Sequence, residues 1–221
     1  MRCLYCHNPD TQRVNGGDEV EAADIIADVC KNRAFYTRGG LTVTGGEPLL
    51  QIDFLIELFS LAKKEGFHTC IDTSGITYRP DHLPYIRKLD RLMSVTDLVL
   101  LDIKQIDPIR HRELTGHDNA PVLAFARYLE EKKIPVWIRH VVVAGYTDRE
   151  DDLAALGRFI GTLSNLQALD VLPYHTLGVE KYHTLGIPYP LEGLPPLPHS
   201  EAIRAKKIIL DAARSVRALP V

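Results

Sequence analysis

Two thiols stand at the start of the chain, in Met1-Arg2-Cys3-Leu4-Tyr5-Cys6-His7. A Cys-x-x-Cys pair can be half of a zinc site, a redox dithiol or two incidental thiols. Zinc would need two more ligands, and only scattered histidines such as His7 are on offer. A thioredoxin-type pair needs a strand before it and a helix starting inside it, and the chain has no residues to make that strand. Further along, polar groups recur at the ends of apolar runs. Gly45-Gly46-Glu47-Pro48 follows the first run, either as a plain strand-to-helix turn or as a bare backbone on which a small ligand can lie. Asp72 and Thr73 close the second run, Asp102 and Lys104 the third, Arg139 and His140 lie in the fourth, and Pro173-Tyr174-His175 ends the fifth. The two aspartates either cap helices or sit half-buried, where a carboxylate needs a partner; Lys104 is a candidate. Cys30 lies on an apolar helix face and, with Cys70, reads as a structural thiol. His117, His183 and His199 fall in polar stretches expected to be loops.

The elements that must position these groups alternate. Helices are expected at residues 20–33, with Ile25, Ile26, Val29 and Cys30 on one face, and at 51–65, with Phe54, Leu55, Leu58 and Leu61 at helical spacing. Further helices are expected at 82–93, 108–114, 121–133, 149–163 and 200–216, the last with Ser200 as N-cap. Strands are expected at 41–44, 67–72, 97–103, 136–143 and 168–172. Alternating strands and helices imply parallel βαβ units. Runs such as Leu98-Val99-Leu100-Leu101 suit strands buried on both faces. Five strands in 221 residues are too few for a closed eightfold barrel, so the expected fold is α/β, an open or partial barrel forming a single domain over residues 1–221. In such sheets chemistry gathers at the carboxyl ends of the strands. The proline-rich stretch 186–198 is expected to be a loop.

Composition narrows the function classes. The net charge of −3, from 26 basic and 29 acidic residues, gives no electrostatic case for nucleic acid or an anionic membrane as partner. The apolar runs are too short to span a bilayer. Four unevenly spread cysteines do not make a disulfide framework, and no apolar leader precedes them, so a reducing cytoplasmic location is expected.

In combination these segments resemble a known family. Cys3-Leu4-Tyr5-Cys6-His7-Asn8-Pro9-Asp10 resembles the end of the cysteine loop of radical S-adenosylmethionine enzymes, and Thr44-Gly45-Gly46-Glu47-Pro48 resembles their GGE motif. Closer still is the resemblance to pyruvate formate-lyase activating enzymes, carried by residues 68–75, 97–105, 136–143 and 172–178. That resemblance implies a partial (β/α)6 radical-SAM barrel lacking its first strand, a [4Fe–4S] cluster and S-adenosylmethionine. It implies reductive cleavage to a 5′-deoxyadenosyl radical that takes hydrogen from a glycine of pyruvate formate-lyase, with an electron donor such as flavodoxin. By the same resemblance, Cys3 and Cys6 ligate the cluster. Gly45 and Gly46 meet the methionine end of the ligand. Tyr5, Cys6 and His7 lie beside its adenosyl group, and Asp102, Ile103, Lys104 and His175 complete the pocket. Asp72, Thr73 and Asp102 are implied to hold a monovalent cation. The family motif is Cys-x3-Cys-x2-Cys; Cys3 and Cys6 match its second and third members, and the first would fall two positions before Met1. An activase truncated at its N-terminus and impaired in cluster binding is therefore expected. The competing readings are an activase of a different glycyl-radical enzyme and a non-catalytic α/β binding module.

Overall fold

The computed structural model describes residues 1–12, 16–35 and 39–217. Its centre is a five-stranded parallel sheet of β1 (Gly40–Val43), β2 (His68–Thr73), β3 (Leu98–Asp102), β4 (Val136–Val142) and β5 (Leu166–Pro173), in the spatial order β1-β2-β3-β4-β5. Around it lie α1 (Ala22–Lys31), α2 (Ile52–Lys64), α3 (Leu83–Met93), α4 (Pro108–Thr115), α5 (Ala120–Glu131), α6 (Glu150–Gly161), α7 (Val179–Leu185) and α8 (His199–Arg217). Parallel crossovers share one hand, so a sheet whose order never reverses receives its helices on one face. That outer face is the core: Ile71, Val99, Leu101, Val136, Ile138 and Val142 are all buried. The other face curves inward as the wall of an open barrel.

Side chains alternate across a strand. The pairings Asp72↔Leu100, Leu100↔Trp137, Asp102↔Arg139 and Arg139↔Asp170 therefore put Asp72, Asp102, Arg139 and Asp170 on the inner face. Local chemistry sets where the helices begin. Prolines at the first or second position of α3, α4 and α5 have the φ a helix needs and no N–H to waste. His82 Nδ1 accepts from Tyr85 N at 3.1 Å and Asp107 accepts from Arg110 N at 2.9 Å, capping α3 and α4.

All five strands and the seven expected helices are present, with ends shifted by up to two residues. Three expectations fail. The last helix begins at His199, so Ser200 lies inside its first turn and caps nothing. The seven residues of α7 follow β5 where no helix was expected, because a segment this short and polar shows no period. His183 and His199 accordingly lie in helices and not in loops. Among the described residues no helix is long and apolar enough to cross a membrane.

Candidate functional site

The Cys3–His7 loop is pinned from two sides. Arg2 N and Leu4 N donate to the carbonyls of Thr115 and Leu114 at the end of α4, at 3.3 and 3.0 Å, and Cys6 N closes the turn on Cys3 O at 3.1 Å. On the opposite side stands the segment after β5. The His7 and His175 rings stack with centroids 4.0 Å apart, and His7 Nε2 lies 3.2 Å from His175 O. Lys181 Nζ on α7 donates to Asn8 Oδ1 at 2.7 Å. Gly178 allows this approach: a Cβ there would sit 2.8 Å from His7 Cα. The helix hidden from sequence reasoning is thus one of the walls of the thiol loop. Cys3 is buried and Cys6 half-buried. Burial pushes the Cys3 thiol up, and the nearby Lys104 charge partly offsets this.

The glycine turn is held by its own acid. Gly45 takes φ +141°, and Gly46 backs onto Thr11. Glu47 reaches across to the end of β2, where its carboxylate accepts from Thr73 Oγ1 at 2.5 Å, from Ser74 N at 3.1 Å and from the Ser74 hydroxyl; Leu49 N donates to it at 3.2 Å. A carboxylate serving four donors fixes the turn to the neighbouring strand.

Between these two loops runs a chain of charges on the inner face. Arg139 bonds Asp102 through Nε at 2.6 Å and Nη2 at 3.1 Å, and Asp72 through Nη1 at 3.0 Å and Nη2 at 2.5 Å. Each contact is a bidentate fork, the geometry a guanidinium is built for. Thr44 Oγ1 donates to Asp72 at 3.2 Å, and Lys104 Nζ donates to Asp102 at 3.0 Å. Burial would push the Asp102 carboxyl up, but Lys104 and Arg139 outweigh it and hold it below the usual range. Burial would likewise discharge Lys104, but Asp102, Tyr5 and Cys3 keep it well above the ordinary lysine value. Lys104 Nζ also lies 5.6 Å from the centre of the Tyr5 ring, over its face. The Tyr5 hydroxyl is buried and has no hydrogen-bond partner among the described residues, so a polar group from a ligand would satisfy it.

The structure therefore brings Cys3, Tyr5, Cys6, His7, Asp102, Lys104 and His175 into one contiguous cluster, and places Gly45 and Gly46 at the neighbouring strand ends through Thr11 and Glu47. Ile103 is buried and engaged through its backbone. The set expected for a cation is arranged differently: both carboxylates, Asp72 and Asp102, turn to Arg139, while the Thr73 hydroxyl turns to Glu47. Neither aspartate caps a helix. The roles of Arg139 and Glu47 are not visible in the sequence, since these cross-strand partners are 26 to 67 residues away. Two cysteines offer soft thiolate donors suited to an iron–sulfur cluster. Among the described residues no group of three or more His, Cys, Asp or Glu is placed to hold a metal ion.

Burial also keeps three histidines neutral. His7, His111 and His140 are all held below the ordinary imidazole value of 6.5. The unfolded chain then binds more protons than the native state once the pH drops below that value. Their contribution to stability is complete above pH 6.5 and is lost as the pH falls towards their native values. The urea midpoint is expected to fall between pH 7.5 and 5.5, before Asp97 and Asp102, whose pKa values are depressed, begin to protonate. A flat midpoint over that interval would show that these imidazoles are not buried as neutral groups.

Residues 1–157 match the Radical SAM superfamily. The pyruvate formate-lyase-activating enzyme of Listeria monocytogenes serovar 1/2a is 50% identical over 215 residues, covering 96% of this chain and 86% of the relative. That of Streptococcus mutans serotype c is 50% identical over 212 residues, covering 95% and 80%. Among solved structures, Streptococcus suis SuiB bound to S-adenosylmethionine superposes with a TM-score of 0.70 at 15% identity, over 99% of this chain and 43% of that one. A domain of a pyruvate-formate lyase-activating enzyme from Bacteroides vulgatus gives 0.63 at 23% identity, over 79% and 94%. These two likenesses speak for the fold.

Proposed function

Because this chain belongs to the radical SAM superfamily and, within it, to the family of the pyruvate formate-lyase-activating enzymes, we propose that it activates pyruvate formate-lyase by forming a radical on a glycine of that enzyme. The observation that carries this reading is the convergence of the thiol loop, the glycine turn and the Asp102–Lys104 pair at the carboxyl ends of parallel strands. When bound, the [4Fe–4S] cluster supplies the electron for reductive cleavage of S-adenosylmethionine to a 5′-deoxyadenosyl radical.

The residues of the chain bind, orient and shield. Cys3 and Cys6 hold cluster iron as thiolates. Lys104, charged and buried, presents a point positive charge to the carboxylate of S-adenosylmethionine. The bare backbone of Gly45 and Gly46 receives the methionine end. The stacked His7 and His175 rings and the Tyr5 ring offer flat surface to the adenosyl group, and Asp102 and the Ile103 backbone close the pocket. The buried tyrosines Tyr5, Tyr174, Tyr182 and Tyr189 pack beside the thiol loop and exclude water from it. A monovalent cation forms no part of this proposal, since Arg139 already supplies positive charge to Asp72 and Asp102. The electron comes from a donor such as flavodoxin, the site of action is the cytoplasm, and residues 1–221 work as one domain.

Anaerobic reconstitution with iron and sulfide tests the proposal in two proteins: residues 1–221, and the same chain extended upstream to complete the cysteine motif. The extended protein is expected to load a cluster and, with S-adenosylmethionine, a reductant and pyruvate formate-lyase, to give 5′-deoxyadenosine and a glycyl-radical electron paramagnetic resonance signal. The 221-residue form is expected to hold little cluster. A fully loaded extended protein that cleaves no S-adenosylmethionine would overturn the assignment.

A further inference from the structure

Strand β3 ends at Asp102, and the next two residues must carry Lys104 to the inner face while the backbone leaves the sheet. Ile103 is 1% exposed, so both of its backbone polar groups need protein partners. Its N–H continues the ladder and donates to Arg139 O at 3.1 Å. The β3–β4 pairing stops at Asp102↔Arg139, so the Ile103 carbonyl lies beyond the ladder. In place of a ladder donor, His140 Nδ1 lies 2.8 Å away. His140 is buried on β4, next to Arg139 but pointing to the opposite face of the sheet. Its other ring nitrogen, Nε2, lies 3.4 Å from Thr147 O. A neutral imidazole has one N–H. The shorter contact must carry it, because a lone pair 2.8 Å from a carbonyl oxygen would be repelled; the ring is the Nδ1–H tautomer. Residues 102–104 are thus gripped from both sides of β4: Arg139 holds the Asp102 carboxylate on the inner face, and His140 holds the Ile103 carbonyl on the outer one.

We propose that His140 is a positioning residue for S-adenosylmethionine binding: its Nδ1–H replaces the ladder hydrogen bond that β3 loses on leaving the sheet, and so fixes the backbone from which Lys104 reaches the ligand. The proposal rests on the functional reading above for the ligand, and on geometry alone for the clamp. An imidazole Nδ1–H is matched in reach by the amide of asparagine; glutamine places its amide where Nε2 stands, and leucine fills the space without a donor.

The test compares His140→Asn, His140→Gln and His140→Leu with their parent in the upstream-extended, cluster-loaded protein, by dissociation constant for S-adenosylmethionine and by hydrogen exchange at the amides of residues 103–105, with circular dichroism confirming the fold. His140→Asn is expected to bind within about twofold of the parent. His140→Gln and His140→Leu are expected to weaken binding about tenfold, the scale of one buried carbonyl left without its donor, and to speed exchange at 103–105. Exchange and binding alike in all three variants and the parent would overturn the clamp, as would an asparagine variant as impaired as the leucine one. If the parent itself does not bind S-adenosylmethionine, the functional reading fails, and the exchange comparison still decides the clamp.

Discussion

Arg139→Met is expected to abolish S-adenosylmethionine binding and to destabilise the fold. Among the described residues the guanidinium is the only group joining Asp72 to Asp102, through four hydrogen bonds. Without it Asp102 keeps Lys104, but among the described residues Asp72 keeps only the Thr44 hydroxyl, on the same sheet face as a second carboxylate. Removing one partner of a fully buried ion pair costs about 3–5 kcal/mol. Here the side chains of Arg139, Asp72 and Asp102 are still 14–25% exposed, and water screens part of that cost. A loss of about 2–3 kcal/mol in urea unfolding is the reasonable figure. The loss of binding has a separate cause. With Arg139 gone, Asp102 is left with Lys104 as its described cationic partner, draws it closer and makes it less available to the carboxylate of the ligand. Arg139→Lys keeps the charge and loses both forks, so it should recover part of the stability and little of the binding. Asp72→Asn in the methionine background should recover stability in the same way. Parent-like binding by Arg139→Met would show that the charge chain does not set the position of Lys104.

Gly157→Ala is expected to cost about 2–4 kcal/mol, through the fold and not through the site. Alanine is the better helix former by about 1 kcal/mol, so propensity alone predicts stabilisation. Packing reverses the sign. A Cβ at position 157 would lie 2.3 Å from Ile209 O and 2.8 Å from Ala212 Cβ, and a helical backbone oxygen cannot swing away. Gly161 makes the same approach one turn later, against Ala213. Helices α6 and α8 therefore run side by side at a separation that only glycine permits. To admit one methyl they must part along their length, and α8 also covers β5. The melting temperature should drop by about 4–16 °C, at about 2–4 °C per kcal/mol for a chain of this size. Binding of S-adenosylmethionine at 25 °C should be unchanged. A melting temperature at or above that of the parent would mean that the helices have room to spare.

Most of the framework was legible because its signals are local. The apolar runs of β3 and β4 and the helical spacing of Leu55 and Leu58 each lie within a few residues, and their order alone implies a parallel sheet. The site residues were legible as types at strand ends, and the stacking of His7 on His175 joins two positions that resemblance had already singled out. Partnerships across the sheet were not legible. Lys104 stands two residues from Asp102 and was an obvious counter-ion; Arg139 stands 37 away and becomes one only when the register of β3 against β4 is known. For the same reason Asp72 and Thr73, adjacent in sequence, were grouped together, although alternation along β2 turns one to Arg139 and the other to Glu47. The wall formed by α7 went unseen because seven residues carry no periodic signal.

The unreversed strand order also bears on how the chain is made. Strands that pair in the sheet follow one another directly in the sequence, with registered partners 28 to 37 residues apart. No strand pairing waits for distant ends of the chain to meet. Each βα unit can therefore settle on the one before it as it leaves the ribosome, and the sheet can grow in the order of synthesis. The segment after β5 with α7, which walls in Cys3 and Cys6, and α8, which seals α6 and β5, are added after the last strand has been made.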